Sequence, residues 1–525
     1  MATHVNIRSF FEHFLYSIES ESGSHMSNDT DQIKNEPTLG QALTPVALLV
    51  GLLASSVYLF GDSSSSGPNQ IALILAAGLT ILIGLRNGYT WKEMEQGMVH
   101  GISLAMGALM ILLAVGSLIG TWILAGIVPT MIYYGLQILS PTIFYAAATV
   151  ICGLVALATG SSWTTASTIG IGLMGIAVTQ DLNLGLAAGA IISGAYFGDK
   201  LSPLSDTTNL APAMAGADLF IHIRHMLWTT TPSFILALSF FTIAGFVGAQ
   251  PQPADNLDIV LRALDAQFSI GIHLLLPAVL VIVLVIKRMP AFPAILLGAL
   301  VGGLFAAVFQ QATVLTYVGE TDLPRNVAVL KGVWIAMFDG FVLNSGNAML
   351  DELLSRGGMS SMLWTIWLIM AAMMFGGAME ASRMLQRIAL GILSFVRGTG
   401  SLIGATIATC IGTNIVASDQ YISIVLPGRM LRAEYRKRKL HPKNLSRTLE
   451  DAGTLTSPLV PWNTCGAFMS QALGVATLTY LPFCFFNLIS PVVSAIYGYT
   501  GFTIEKLEES DEDEESAVAY LPTDS

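Results

Sequence analysis

The runs ALTPVALLVGLLASSVYLF, from Ala42, and LLLPAVLVIVLVI, from Leu274, carry no charged residue, and runs of this kind recur along the whole chain. A helix needs about 20 apolar residues to cross a bilayer core. Inside lipid every backbone polar group must be satisfied within the protein. These two constraints predict an all-α polytopic membrane protein. Composition agrees: 53% of the 525 residues are hydrophobic and 11% are charged, whereas soluble domains carry about 25% charged residues. A single large soluble core is thereby disfavoured.

The formal net charge of −11 does not describe the body of the chain. Acid is concentrated at the ends, above all in EKLEESDEDEE at 505–515, a composition that reads as a solvated tail. The sequence divides into an N-terminal tail at 1–40, a first repeat at 41–248, a linker at 249–267, a second repeat at 268–500 and an acidic cytoplasmic tail at 501–525. GSHM at 23–26 has the look of a vector remnant, so residues 1–25 are set aside. Cys152, Cys410, Cys465 and Cys484 have no metal-ligand spacing and read as buried free thiols.

Hydropathy places crossings near 42–60, 70–85, 101–125 and 222–247, and again near 268–286, 291–309, 361–380 and 476–498. Between them lie apolar regions that are interrupted, at 142–179 and 183–215 in the first half and at 400–430 and 448–475 in the second. The interruptions repeat. GSSWTTAS from Gly160 is followed 38 residues later by GDKLSPLSDTTN from Gly198; GTNIVASD from Gly412 is followed 41 residues later by GTLTSPLVPWNT from Gly453. Each half thus predicts about five transmembrane helices, a re-entrant hairpin and a broken helix. The segment 331–355 fits no crossing and reads as an amphipathic piece.

With the N-terminus in the cytoplasm, Arg86, Lys92, Arg224, Lys287, Arg288, Arg383, Arg387, Arg397 and the cluster from Arg429 to Arg447 fall inside. Arg262, Arg325, Lys331 and Arg356 fall outside. This imbalance follows the positive-inside rule and makes the two halves inverted repeats. Both termini then lie in the cytoplasm, and the membrane is the cytoplasmic one of a bacterium. Inverted repeats with broken helices mark secondary transporters, whose half-helix ends and unwound carbonyls hold the cargo.

The residues for such a site are those of the breaks. Asp199 and Asp206 are intramembrane carboxylates, which are costly without a role; Asp419 follows the second hairpin tip. Ser161, Ser162, Thr164 and Thr207, with Asn209, Thr413, Asn414, Ser457 and Asn463, add neutral oxygen and amide groups, although several also suit helix capping. Carboxylate, hydroxyl and carbonyl oxygens are hard ligands for hard cations, and Asp199, Asp206, Asn209 and Ser161 form the sodium set. Lys200 has Asp199 and Asp206 as its local pairing options. His222 and His225 flank Arg224 and read as a solvated interfacial face, and Glu380 reads as interfacial. Trp163 and Trp462 read as packing beside the breaks.

The stretches MGALMILLAVGSLIGTWILAGIVPTMIYYGL, TGSSWTTASTIGIGL and SGAYFGDKLSPLSDTTNLA resemble the NhaC family of sodium/proton antiporters, from about residue 42 to 500. The resemblance implies alternating access, with sodium ion and proton as cargo and no cofactor. It implies sodium held between Ser161, Ser162 and the Gly198–Asn209 break, and between Thr413, Asn414 and the Thr454–Asn463 break. The second half has Thr454 and Pro461 where the first has Asp199 and Asp206, so the two sites are not equivalent. The family also contains sodium-coupled malate/lactate exchangers, which makes small carboxylates the alternative cargo, with the hairpin N-termini and Lys200 to hold them. A homodimer and the lipid bilayer complete the expected partners; no nucleic acid is among them. An enzyme reading, an intramembrane aspartyl protease using Asp199 and Asp419, is disfavoured because YFGDK lacks the preceding glycine of the Gly-Asp motif.

Overall fold

The computed structural model describes residues 34–507 apart from 62–63, 65, 249–253, 321 and 347. Most of the N-terminal tail, the start of the linker and the acidic tail from 508 lie outside the described residues. The rest is helical, with isolated β-bridges at Phe341–Arg356 and Leu440–Lys506. Among the described residues, 7 helices are long and apolar enough to cross a membrane, or up to 9 if each bent pair is one span. This bears out a multi-pass, all-helical architecture.

The spans differ in how much they expose. In Leu39–Phe60 and Leu219–Gly248 only 22% and 28% of the apolar window is buried, against 72% in Met106–Leu124 and 67% in Ser360–Ala381. The first pair therefore forms the lipid-facing rim and the second pair the interior. Trp122, fully buried, donates its indole N–H to the Gly298 carbonyl at 3.0 Å. Ser117 Oγ donates to the Met337 carbonyl at 2.9 Å. These contacts tie the interior helix to the second half.

Several boundaries differ from the hydropathy reading. The crossing at 101–125 is two helices, Trp91–Leu104 and Met106–Leu124. The latter part of the linker is a helix, Ala254–Gln267, and its Leu264 side chain is buried. It meets the following span at a bend of 82°. Segment 331–355 contains the end of helix Arg325–Phe338 and the short helix Ala348–Leu354.

The interrupted regions form two hairpins, each followed by a broken helix. In the first, Phe144–Thr159 runs to Gly160, and the chain returns through Ser162–Thr165, a π-helical stretch Ala166–Gly170 and Ile171–Thr179. Both arms begin and end at one level: Gln180 Nε2 donates to the Leu139 carbonyl at 2.6 Å, and Asn183 N–H donates to the Tyr145 hydroxyl at 3.1 Å. The next helix, Leu184–Leu201, runs alongside the first arm through glycines. A Cβ on Gly198 would sit 2.2 Å from the Gly153 carbonyl oxygen, and one on Gly194 2.2 Å from that of Thr149. Such close backbone approach is how small residues hold membrane helices together. It carries Asp199 up to the hairpin tip.

The second hairpin consists of Thr399–Val416 and Ile422–Lys437, whose arms are joined by Thr406 Oγ1 and Tyr435 OH at 3.0 Å. Helix Pro442–Leu449 then continues as a π-helical stretch, Glu450–Thr454, towards the tip. Each broken helix resumes, as Asp206–Ala215 and as Thr464–Leu473, and each ends on a left-handed glycine, Gly216 or Gly474. The same order of elements therefore occurs twice.

Candidate functional site

Gly160 takes a left-handed conformation (φ +69°) that ends the first arm. Ser161 then turns extended and caps the short helix, its Oγ accepting from Thr164 N–H at 3.1 Å and from Thr164 Oγ1 at 3.0 Å. This leaves the Ser162 N–H free to point at the neighbouring helix, where it donates to Asp199 Oδ2 at 3.1 Å. A buried carboxylate thus meets the positive end of a half-helix, the arrangement that helix N-termini favour. The break itself, Ser202 to Ser205, lies directly over Gly160, where a Cβ would come 2.7 Å from Leu204.

After the break Ser205 caps the resumed helix. Asp206 and Asn209, one turn apart, lie on its exposed face, and the Asn209 amide donates to the carbonyls of Pro203 and Ser205 at 3.0 and 2.6 Å. Thr207 is buried instead. Its Oγ1 lies 3.2 Å from Ser205 Oγ and donates to Glu450 Oε1 at 2.9 Å. Of the sodium set, the structure brings Asp199 to the Ser161–Ser162 tip, while Asp206 and Asn209 face the open side.

The second tip is built more densely. Asp419 Oδ1 accepts from the N–H groups of Tyr421 and Ile422 at 2.9 and 3.1 Å, and its Oδ2 accepts from Thr464 Oγ1 at 3.3 Å. Asn414 donates to the Gly453 carbonyl at 2.7 Å and to Thr456 Oγ1 at 3.0 Å; Asn463 donates to Asn414 Oδ1 at 3.0 Å. Ser457 Oγ donates to Gln420 Oε1 at 2.8 Å, and Trp462 Nε1 to the Ile415 carbonyl at 2.8 Å. The carbonyl of Pro458 accepts from Tyr480 OH at 2.7 Å, so a polar group at this break is satisfied by protein. Thr413 Oγ1 bonds back to its own helix, at Thr409 O, 2.8 Å away.

Sequence reasoning missed the polar cluster between the two breaks. Lys200, fully buried, pairs with neither Asp199 nor Asp206 but with Asp451, also fully buried and 251 residues away. Asp451 Oδ1 further accepts from Thr229 Oγ1 at 3.0 Å and Ser490 Oγ at 3.1 Å. Glu450 beside it is fully buried, and among the described residues its Oε2 makes no hydrogen bond of good geometry. The signal was present: two successive acids, LED, in the helix that enters the second break. They lie just before Gly453, where the likeness between the two breaks begins, so the repeat does not reveal them.

His222 and His225 also correct the reading. They are not solvated; both are buried on one face of Leu219–Gly248, and His222 Nδ1 lies 2.8 Å from Ser446 Oγ. Their spacing of three puts them on a common helix face, while the intervening Arg224 is exposed. The four cysteines are buried and free. Trp163 packs as expected, stacked on Phe468 with ring centroids 4.0 Å apart.

The profile of the Na+/H+ antiporter family matches residues 194–502. The chain is 37% identical over 476 residues to the Na+/H+ antiporter NhaC of Alkalihalophilus pseudofirmus, covering 90% of this chain and 98% of that protein. It is also 37% identical to the malate-2H+/Na+-lactate antiporter of Bacillus subtilis, over 89% of this chain and 95% of that one. Against the arginine/ornithine antiporter ArcD of Halobacterium salinarum the identity is 35%, over 95% and 99%. With the broken helices, the tip contacts and these likenesses together, the chain belongs to the Na+/H+ antiporter family.

Proposed function

We propose that this protein is a secondary antiporter that exchanges Na+ for H+ across the bacterial cytoplasmic membrane by alternating access, without a cofactor. The observation that carries this reading is how the charges at the breaks are committed. The Lys200 ammonium, the cationic group at the first break that a carboxylate cargo could use, is taken by Asp451 and lies 3.3 Å from Ser490 Oγ. What remains at the first tip is the Asp199 carboxylate, with hydroxyl and backbone groups around it, a set suited to a hard cation. Asp199 holds sodium in one state and a proton in the other, so the two ions compete for one group. Ser161 and Ser162 contribute tip oxygens, while Asp206 and Asn209 stand at the water-facing mouth of the same site.

In this reading the two halves are inverted, both termini are cytoplasmic, and the hairpins enter from opposite sides. Relatives of similar identity carry the names of a sodium/proton antiporter and a malate/lactate antiporter, so identity alone does not choose the cargo. The choice rests on Lys200. The test uses proteoliposomes containing a trapped pH dye. A sodium pulse drives proton movement in the opposite direction; labelled malate, lactate or arginine moving while sodium moves no protons would reject the proposal.

A further inference from the structure

The buried acids Glu450 and Asp451 are neighbours in sequence but differ in environment. Asp451 Oδ1 is compensated by the Lys200 ammonium and by two hydroxyls, those of Thr229 and Ser490. Glu450 Oε1 accepts from Thr207 Oγ1, and the carboxylate feels the field of the Lys200 ammonium that pairs with Asp451. Among the described residues Glu450 Oε2 makes no hydrogen bond of good geometry, and neither does the Thr454 hydroxyl beside it one turn on, nor Asp451 Oδ2. A fully buried carboxylate that has two hydroxyls beside it, and whose neighbouring ammonium is paired with another acid, is less compensated than Asp451, because removing a charge from water demands a compensating charge or several hydrogen bonds.

The position of Glu450 indicates what compensates it. It lies in the π-helical stretch Glu450–Thr454, and such bulges recur at functional sites because they redirect side chains from the regular ladder. It reaches across from the second half to Thr207, which touches Ser205 in the first break. Thr208, next along, donates to the Lys200 carbonyl at 3.0 Å and lies 3.3 Å from that of Asp199. Asp199 from one half and Glu450 from the other therefore flank the same short polar segment. At the far end of its own stretch, the Gly453 carbonyl accepts from Asn414 and Ser423 of the second hairpin.

We infer that Glu450 is a ligand of the transported cation, contributed across the interface between the halves to the site at the first break. Thr454 supplies a neutral oxygen on the same side. The Lys200–Asp451 pair beside it is a fixed link that holds the two broken helices together. A cation bound here bridges the halves, so loading the site changes how firmly they are joined. This inference deepens the sodium reading above and rests on it for the identity of the ion.

The test is direct binding of 22Na+ to the purified, detergent-solubilised full chain at fixed pH, which requires no transport. Wild type binds sodium saturably. Glu450→Gln, nearly isosteric and still able to accept from Thr207, weakens binding at least about tenfold while eluting as a single monodisperse peak. Glu450→Asp, which keeps the charge on a shorter arm, falls between them and is the variant to read should the Gln form fail to fold. Sodium affinity equal to wild type in the folded variant, or no saturable sodium binding by wild type, overturns the inference. Undiminished sodium binding by Glu450→Gln alongside normal sodium-driven proton movement would overturn this inference and leave the exchange reading standing. Sodium binding that depends on Glu450 without any proton movement would do the reverse.

Discussion

The two breaks use the same order of elements to build different interiors. At the first, the carboxylate comes from the helix facing the tip: Asp199 is met by the N–H of Ser162, and Pro203, Asp206 and Asn209 are exposed. At the second, the carboxylate belongs to the tip: Asp419 caps the returning helix through the N–H groups of Tyr421 and Ile422. Asn414, Ser457 and Asn463 are all fully buried there and bonded across the break. Much of the polar capacity of the second break is used up internally, whereas the first has exposed residues beside a buried carboxylate, Asp199. On the proposed reading, the second break acts mainly as a fastening and the first as the site.

The largest effect is expected where the two are joined. Lys200→Met leaves Asp451 buried without its cation, and breaking a buried pair from one side costs about 3–5 kcal/mol. The loss reads out as a lower unfolding temperature in detergent. Replacing both partners, Lys200→Met with Asp451→Leu, recovers most of it, because no isolated charge remains.

Next comes the first break. Asp199→Asn removes the charged partner of the Ser162 N–H and, on the proposed reading, the principal cation ligand. Contacts to a charged group are worth up to about 3 kcal/mol, so the apparent sodium affinity in transport falls about 100-fold while the unfolding temperature stays near that of wild type. A comparable loss of stability would make the first break a fastening too.

The second break gives the opposite pattern. Asn463→Ala removes the cap of Thr464–Leu473 and the link to Asn414, and lowers stability by about 1–3 kcal/mol. Sodium-driven flux in the folded fraction stays within a few-fold of wild type. The smallest effect belongs to Trp163→Leu, which loses the stack on Phe468. Aromatic pairs contribute about 0.5–1.5 kcal/mol beyond their burial, seen as a small drop in unfolding temperature with unchanged ion selectivity.

The sequence carried the architecture well because lipid imposes a simple rule on it. Long uncharged runs become spans, and interruptions rich in Gly, Ser and Pro become tips and breaks, as at Gly160 and at Ser202–Ser205. Partners were less legible. Nothing near Lys200 in the chain reveals Asp451, because that pairing depends on how two helices 251 residues apart in sequence meet. Nearest-neighbour reasoning therefore offered Asp199 and Asp206 instead. His222 and His225 are poorly legible for a related reason: the charge of Arg224 marks a stretch as polar although the helical period sends it away from them. Glu450 is poorly legible because it precedes Gly453, where the repeat begins, and Thr454 stands at the register of Asp199. The duplicated pattern drew attention to what the halves share, whereas the distinguishing chemistry lies where they differ.

The decisive measurement is calorimetric titration of sodium onto purified Asp199→Asn and Asn463→Ala proteins, side by side with wild type. The account predicts that heat of sodium binding disappears in the Asp199 variant and persists in the less stable Asn463 variant. Retained binding without Asp199, together with its loss on substituting Asn463, would contradict it by making the second break the site and the first the fastening.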